Sequence, residues 1–149
     1  MKSRILKKDT VLLRLFPGEE IIASLQLFAH NYQNMFINFT GIGAINQATL
    51  GCFDIKSKNY IKKELTDNYE VVSLIGNIAT VNNNPFIHSH ICLSNDKFEV
   101  VGGHLMSATV SITTEITLSI TDQTVARVED KETGLQLLEL EDHGSHQSI

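Results

Sequence analysis

The stretch Ser107–Ile120, SATVSITTEITLSI, constrains the fold more than any other part of the chain. Val110, Ile112, Ile116, Leu118 and Ile120 fall on one face, and Thr109, Ser111, Thr113, Glu115, Thr117 and Ser119 fall on the other. A period of two held over this length is the pattern of a β-strand with one buried face. The hydroxyl-rich face is either solvated or packed on another subunit.

The rest of the chain adds more strands and one helix. Lys8–Phe16 reads as a strand with Val11, Leu13 and Leu15 on one face, broken by Pro17-Gly18. Glu19-Glu20 then open a helix, where acidic residues suit the positive end of the dipole. Ile21, Ile22, Leu25, Phe28, Ala29 and Tyr32 recur at helical spacing, and the helix is expected to end near Asn31–Asn34. Met35–Phe39 is a strand that runs into Gly41-Ile42-Gly43-Ala44, read as a tight turn or a backbone-lined ligand wall. A dinucleotide fingerprint does not fit there: Asn46 stands where the third glycine belongs, and no helical pattern follows. Ala48–Asp54 and Glu70–Ile78 read as strands, Asn59–Leu65 as an edge strand or connection, and Asn82–Pro85 as a loop. Thr121–Gly134 is a polar connection and Leu135–Leu140 a short final helix or strand. Six to seven strands on short links, with one principal helix on one face, make an α+β domain with a mainly antiparallel sheet. The domain spans 1–140, and a polar tail, 141–149, carries His143 and His146, which are not enlisted as ligands.

A chain of 149 residues suits one domain with a proper core. Apolar residues make up 42% and charged residues 19%, the balance of a folded protein rather than a disordered one. Cys52 and Cys92 lie in apolar runs and read as reduced thiols; with no leader evident at the N-terminus, the expected compartment is cytoplasmic. No apolar run reaches the ~18 residues of a membrane helix, so no membrane partner is expected. The net charge of −5 runs against a duplex-DNA binder. The small basic clusters, Lys2, Arg4, Lys7, Lys8 and Lys56, Lys58, Lys62, Lys63, read as ordinary solvated segments.

Chemistry concentrates in Pro85–Met106, PFIHSHICLSNDKFEVVGGHLM. Phe86–Leu93 reads as a strand that puts Phe86, His88, His90 and Cys92 on one side and Ile87, Ser89, Ile91 and Leu93 on the core side. Ser94–Lys97 reads as a turn, and Phe98–Val101 begins a returning strand. In that hairpin His104 returns near the level of His88 and His90, with Gly102-Gly103 allowing a bulge or a close backbone approach that re-aims it. Three neutral imidazoles without a fourth protein ligand describe an open zinc site. Nickel, copper and iron suit the same donors, and Cys92 is a candidate fourth ligand. The alternative is three hydrogen-bonded core or interface histidines. Glu70 and Glu115 are the carboxylates inside strands that a metal-assisted hydrolase or lyase would use as acid or base; they equally suit a solvated or subunit-bridging role.

The runs LRLFPGEEIIASL, TGIGAINQATLG, EVVSLIGNI, PFIHSH and VVGGHL, with the strand that carries Glu115, together resemble the plants-and-prokaryotes conserved (PPC) domain, stand-alone prokaryotic type, over about Leu13–Leu140. The resemblance implies one α+β domain assembled as a homotrimer, and a divalent metal, zinc foremost, on His88, His90 and His104. The pocket it implies includes Gly41, Gly43, Glu70 and Glu115 and is finished by a neighbouring subunit. Plant members follow AT hooks and bind DNA, but Arg4, Arg14 and Arg127 form no Arg-Gly-Arg-Pro core here. The plant partner-binding Gly-Arg-Phe-Glu run reads Asp67-Asn68-Tyr69-Glu70. The partners expected are the chain itself and a small-molecule ligand. The alternatives are a DNA-binding or regulatory module, and a metal-dependent enzyme acting on a small polar substrate.

Overall fold

A computed structural model describes residues 1–32 and 34–141 of the chain; the expected tail, with His143 and His146, lies from position 142 onward outside the described residues. The strands are β1 (Lys2–Lys7), β2 (Thr10–Leu15), β3 (Ile37–Asp54), β4 (Asn59–Leu65), β5 (Tyr69–Val81), β6 (Asn84–Ser94), β7 (Val100–Ile120), β8 (Arg127–Glu129) and β9 (Gln136–Leu138). One helix, α1 (Ile21–Ala29), is extended by a 3-10 turn at His30–Tyr32. The main sheet runs β1-β2-β7-β6-β5-β3-β4, every neighbour antiparallel, and β7 pairs with β3 as well. That extra pairing closes β3, β5, β6 and β7 into a ring, while β8 and β9 form a separate ribbon. The α+β class, the mainly antiparallel sheet and the single principal helix are as expected.

Leu13 and Leu15 of β2 join Ile37, Leu74, Leu93 and Leu118 of the ring strands in one core, and all six are fully buried. The helix lays its apolar stripe on the same core: Ile21, Leu25, Phe28 and Ala29 are buried, with Ile22 and Tyr32 packed at the margin. Glu20 is its N-cap. One carboxylate oxygen accepts from Ile22 N at 3.1 Å and from Ala108 N of β7 at 2.9 Å; the other accepts from Ala23 N at 2.6 Å. Backbone bonds between Glu19 and Val110 and between Gly18 and Val110 complete the anchor. A single side chain thus satisfies helix-end donors and fixes the helix to the sheet. Glu20→Ala removes the cap and orphans a sheet N–H, so it is expected to cost about 2 kcal/mol in urea unfolding. Glu20→Gln should recover most of that, and equal losses in the two variants would contradict the capping account.

Several local expectations change. Gly41–Ala44 is not a turn: it lies inside β3, which runs unbroken from the strand expected at Met35–Phe39 into that at Ala48–Asp54. A Cβ on Gly41 would stand 2.9 Å from Glu115 O, and one on Gly43 would stand 2.2 Å from Thr113 O. The glycines therefore serve close strand contact rather than chain reversal. Likewise the alternating strand begins earlier, at Val100, and includes the Gly-Gly-His segment. Ile112, expected on the core face, is 68% exposed. Between the pairs Gly43–Thr114 and Ile45–Val110, β7 carries two more residues than β3, and the bulge swings Ile112 outward. Phe98 does not start the returning strand; it sits in the turn at φ 61° and is 87% exposed. Leu135–Leu140 supplies strand β9 rather than a helix, and Asn59–Leu65 is the edge strand β4.

Candidate metal centre

Strand β6 alternates as expected: Ser89, Ile91 and Leu93 are buried, and Phe86, His88, His90 and Cys92 take the outer face. His90 pairs directly with His104 across the β6–β7 ladder. The β6–β7 register runs unbroken through Gly102-Gly103, so the expected bulge at those glycines is absent from that ladder. Gly102 and Gly103 instead permit close approach, since a Cβ would lie 2.7 Å from Ile91 O and 2.9 Å from Gly51 O respectively. His88 stands next to His90 on the same face, and the three ring centroids form a near-equilateral triangle with sides of 5.4, 5.3 and 5.5 Å. One ring nitrogen from each lies within 4.8 Å of the others, a cluster that can hold a metal ion. Cys92 faces Gly102 on the same side and is not part of the converging set among the described residues.

The electrostatics favour ligation. Burial, reinforced by His88 and His90, pushes His104 down to about 4. Burial, then the Arg127 charge, then His90 also lower His88. Both are therefore neutral at pH 7, the form that offers a lone pair to a metal. Among the described residues Nδ1 of His104 is buried with no hydrogen-bond partner, an orphan that a metal ion satisfies if that nitrogen ligates.

The wall of the site comes from segments without a sequence signal. Arg127, 6% exposed, reaches in from β8. Its Nη1 donates to Gln136 O at 2.7 Å, and its Nη2 donates to Asn77 Oδ1 at 2.8 Å and lies 3.2 Å from His88 Nδ1. A guanidinium only donates, so His88 Nδ1 is the acceptor in this arrangement. The ribbon carrying Arg127 is docked by Thr80 N donating to Val125 O at 3.0 Å. On the other side Gly51, opposite His104, leaves room for the Tyr60 ring, which packs on His104 at 5.1 Å. Between these walls lies a cavity of about 250 Å³ lined by Tyr60, Phe86, His88, His104, Arg127 and the ribbon residues Leu135, Gln136 and Leu137.

The four other candidate residues sit elsewhere in the fold. Glu70 pairs with Ala44 and Ser94, and lines a separate cavity with Tyr69, Phe98 and Ile112. Glu115 is exposed and pairs with Arg14 and Ile42, while Gly41 and Gly43 lie against β7. None of them lines the histidine cavity.

Residues 6–122 match the model of the Plants and Prokaryotes Conserved (PCC) domain. The chain belongs to the PCC domain family. Solved PCC-like structures agree closely with this one. The metal-containing protein of Archaeoglobus fulgidus is similar at 34% identity and TM-score 0.79, over 88% of this chain and 93% of that one. A plant- and prokaryote-conserved protein of Pyrococcus horikoshii is similar at 31% identity and TM-score 0.80, over 88% and 91%. A Bacteroides thetaiotaomicron protein provisionally described as DNA-binding is similar at 25% identity and TM-score 0.89, over 93% and 96%. Among curated protein sequences none matches this chain. Tyr60 of the PCC domain and Arg127, just beyond the matched residues, are the site residues that sequence reasoning missed. Arg127 lies in a polar connection and Tyr60 on a mixed edge strand, so neither carries a periodicity that would place it.

Proposed function

We propose that this PCC domain holds one divalent cation, zinc, on His88, His90 and His104, and works as a cytoplasmic homotrimer whose metal sites face a small-molecule cavity. The convergence of three imidazoles, one ring nitrogen of each within 4.8 Å of the others, carries the reading, and the Archaeoglobus relative is described as metal-containing. A zinc ion on three histidines supplies a Lewis acid and lowers the pKa of a bound water toward ~7. The chain's own part is to keep the imidazoles neutral by burial, to pack His104 against Tyr60 beside His90, and to hold His88 through Arg127 until a metal takes it. Elemental analysis of protein purified without a metal column is expected to give about one zinc per chain. Less than about 0.2 per chain, unaltered by His88→Ala, would remove the metal from the reading.

The trimer is supported by apolar side chains left on the outside: Ile42, Val72, Val100 and Ile112 are each more than half exposed, and Phe98 nearly fully. The family resemblance supplies the number three. Light scattering should give a trimer, and zinc at a hundred times its dissociation constant should raise the unfolding free energy by ~2.7 kcal/mol. A monomer under all conditions would refute the assembly, and a melting temperature indifferent to chelator would uncouple it from the metal. DNA binding is the second reading, carried by the description of the Bacteroides relative and opposed by the net charge of −5. Duplex binding that appears at low salt and falls steeply as salt rises would favour it.

A further inference from the structure

We infer that the cavity beside the histidines takes a small organic monocarboxylate, received by Arg127 when a metal ion occupies the histidine cluster. This rests on the metal reading above. Three features of Arg127 lead to it.

Arg127 is 6% exposed, yet no carboxylate lies within ion-pair distance of it among the described residues. A buried charge without a counter-charge is costly. Secondly, its Nε is buried without a hydrogen-bond partner among the described residues. Thirdly, its Nη2 spends one of its contacts on His88 Nδ1. Ligation of His88 ends that contact whichever nitrogen is used. If Nδ1 ligates, its lone pair is consumed; if Nε2 ligates, the proton moves to Nδ1, which then cannot accept. Metal loading therefore adds positive charge and takes an acceptor from Arg127, which leaves a demand for one anion. A carboxylate matches the planar donor fork.

The lining selects the rest of the ligand. Phe86, Tyr60, Leu135 and Leu137 give apolar surface, and among the described residues no lysine or second arginine lines the cavity to balance a dianion. Its volume of about 250 Å³ falls below the ~300 Å³ at which drug-sized sites begin, so the ligand is of metabolite size.

The test uses the full chain loaded with cobalt(II), whose visible spectrum reports both the ligand set and any change at the open position. Butyrate is titrated against butyramide and against inorganic phosphate. Butyrate is expected to perturb the spectrum at concentrations at least ~10-fold lower than either. By calorimetry, metal-free protein should bind butyrate at least ~10-fold more weakly than loaded protein, because His88 still occupies Arg127. Arg127→Lys should keep cobalt and lose at least ~10-fold in butyrate affinity. Leu137 is half-exposed, so Leu137→Trp is a variant that should fold; it should narrow the cavity and weaken butyrate ~5-fold with cobalt retained. Equal binding of butyrate and butyramide, tighter binding of phosphate, or a folded, cobalt-loaded Arg127→Lys with unchanged butyrate affinity would each overturn the inference and leave the metal reading intact. Absence of any cobalt spectrum would overturn both.

Discussion

Gly43→Ala is expected to leave no cooperatively folded protein. The Cβ it adds would lie 2.2 Å from Thr113 O, 2.6 Å from Thr114 Cα and 2.9 Å from Thr114 Oγ1. Two of these are backbone atoms of β7, so no side-chain rotation relieves the clash. Gly43 also lies in the β3–β7 pairing that closes the ring and beside register shifts toward both β5 and β7. Relief would require parting the strands that enclose Ile45, Leu74 and Ile116, all fully buried. Overpacking ordinarily costs ~1–3 kcal/mol. A backbone-to-backbone clash at a ring closure should exceed ~4 kcal/mol, a large share of a small domain's stability. Gly18→Ala is the control: its φ is +85° and nothing lies within 4 Å of the added Cβ, so only backbone strain of about 1 kcal/mol is expected. Urea unfolding followed by circular dichroism separates the two, and a Gly43→Ala protein that unfolds cooperatively within 1 kcal/mol of the parent would contradict the close-contact role.

Those glycines also show where sequence reasoning reaches its limit. Gly41-Ile42-Gly43 reads as a turn because glycine usually marks one. Here it marks a crossing between strands far apart in the chain, which no local pattern reveals. Strand β1 was hidden for another reason: all of Lys2–Lys7 is exposed. An edge strand with no buried face has no alternation to read, and its lysines suit exposed edges. By contrast the 107–120 alternation was legible because one face is buried for most of its length, and it failed only at Ile112, where the bulge adds residues to one strand. Helix α1 was legible for the same reason, one stripe against one core. Its Glu19-Glu20 pair suits the helix dipole on sequence grounds, but in the fold Glu20 acts as a cap that also bonds β7.

For the site, spacing on β6 was enough to put His88 and His90 on one face. Adding His104 required the β6–β7 hairpin, and the Ser94–Lys97 turn signal made that expectation possible. The direct pairing of His90 with His104 is stronger than the approximate level expected. Arg127 and Tyr60 depend on contacts between segments separated widely in sequence, and Arg127 moreover arrives on a three-residue strand. A lone arginine in a polar connection is an ordinary surface residue until the fold buries it.

Acid is expected to weaken the metal-free protein in a window set by these histidines. Burial lowers His104 from 6.5 to about 4, and His88 is lowered as well. Between those pH values the unfolded chain binds protons that the native site refuses, so unfolding stability rises with pH there and falls as the medium is acidified. The loss begins near pH 6.5 and is complete for His104 by about pH 4. Its size for His104 is about 2 kcal/mol, after allowing for residual solvent screening at a part-exposed ring. Glu19, whose carboxyl is held low by the N-terminal ammonium and the Phe16 amide, contributes in the same direction but only below its ordinary 4.5. The upper part of the window therefore belongs to the histidines. His104→Gln keeps a polar group at the site but does not titrate, and it should flatten the dependence between pH 6.5 and 5, leaving only the part that belongs to His88. Chelator-treated protein unfolded in urea at a series of pH values provides the measurement. Parent and variant losing stability in parallel would show that His104 is not held neutral by the fold, and with that the buried, unprotonated state on which its ligation depends would be lost.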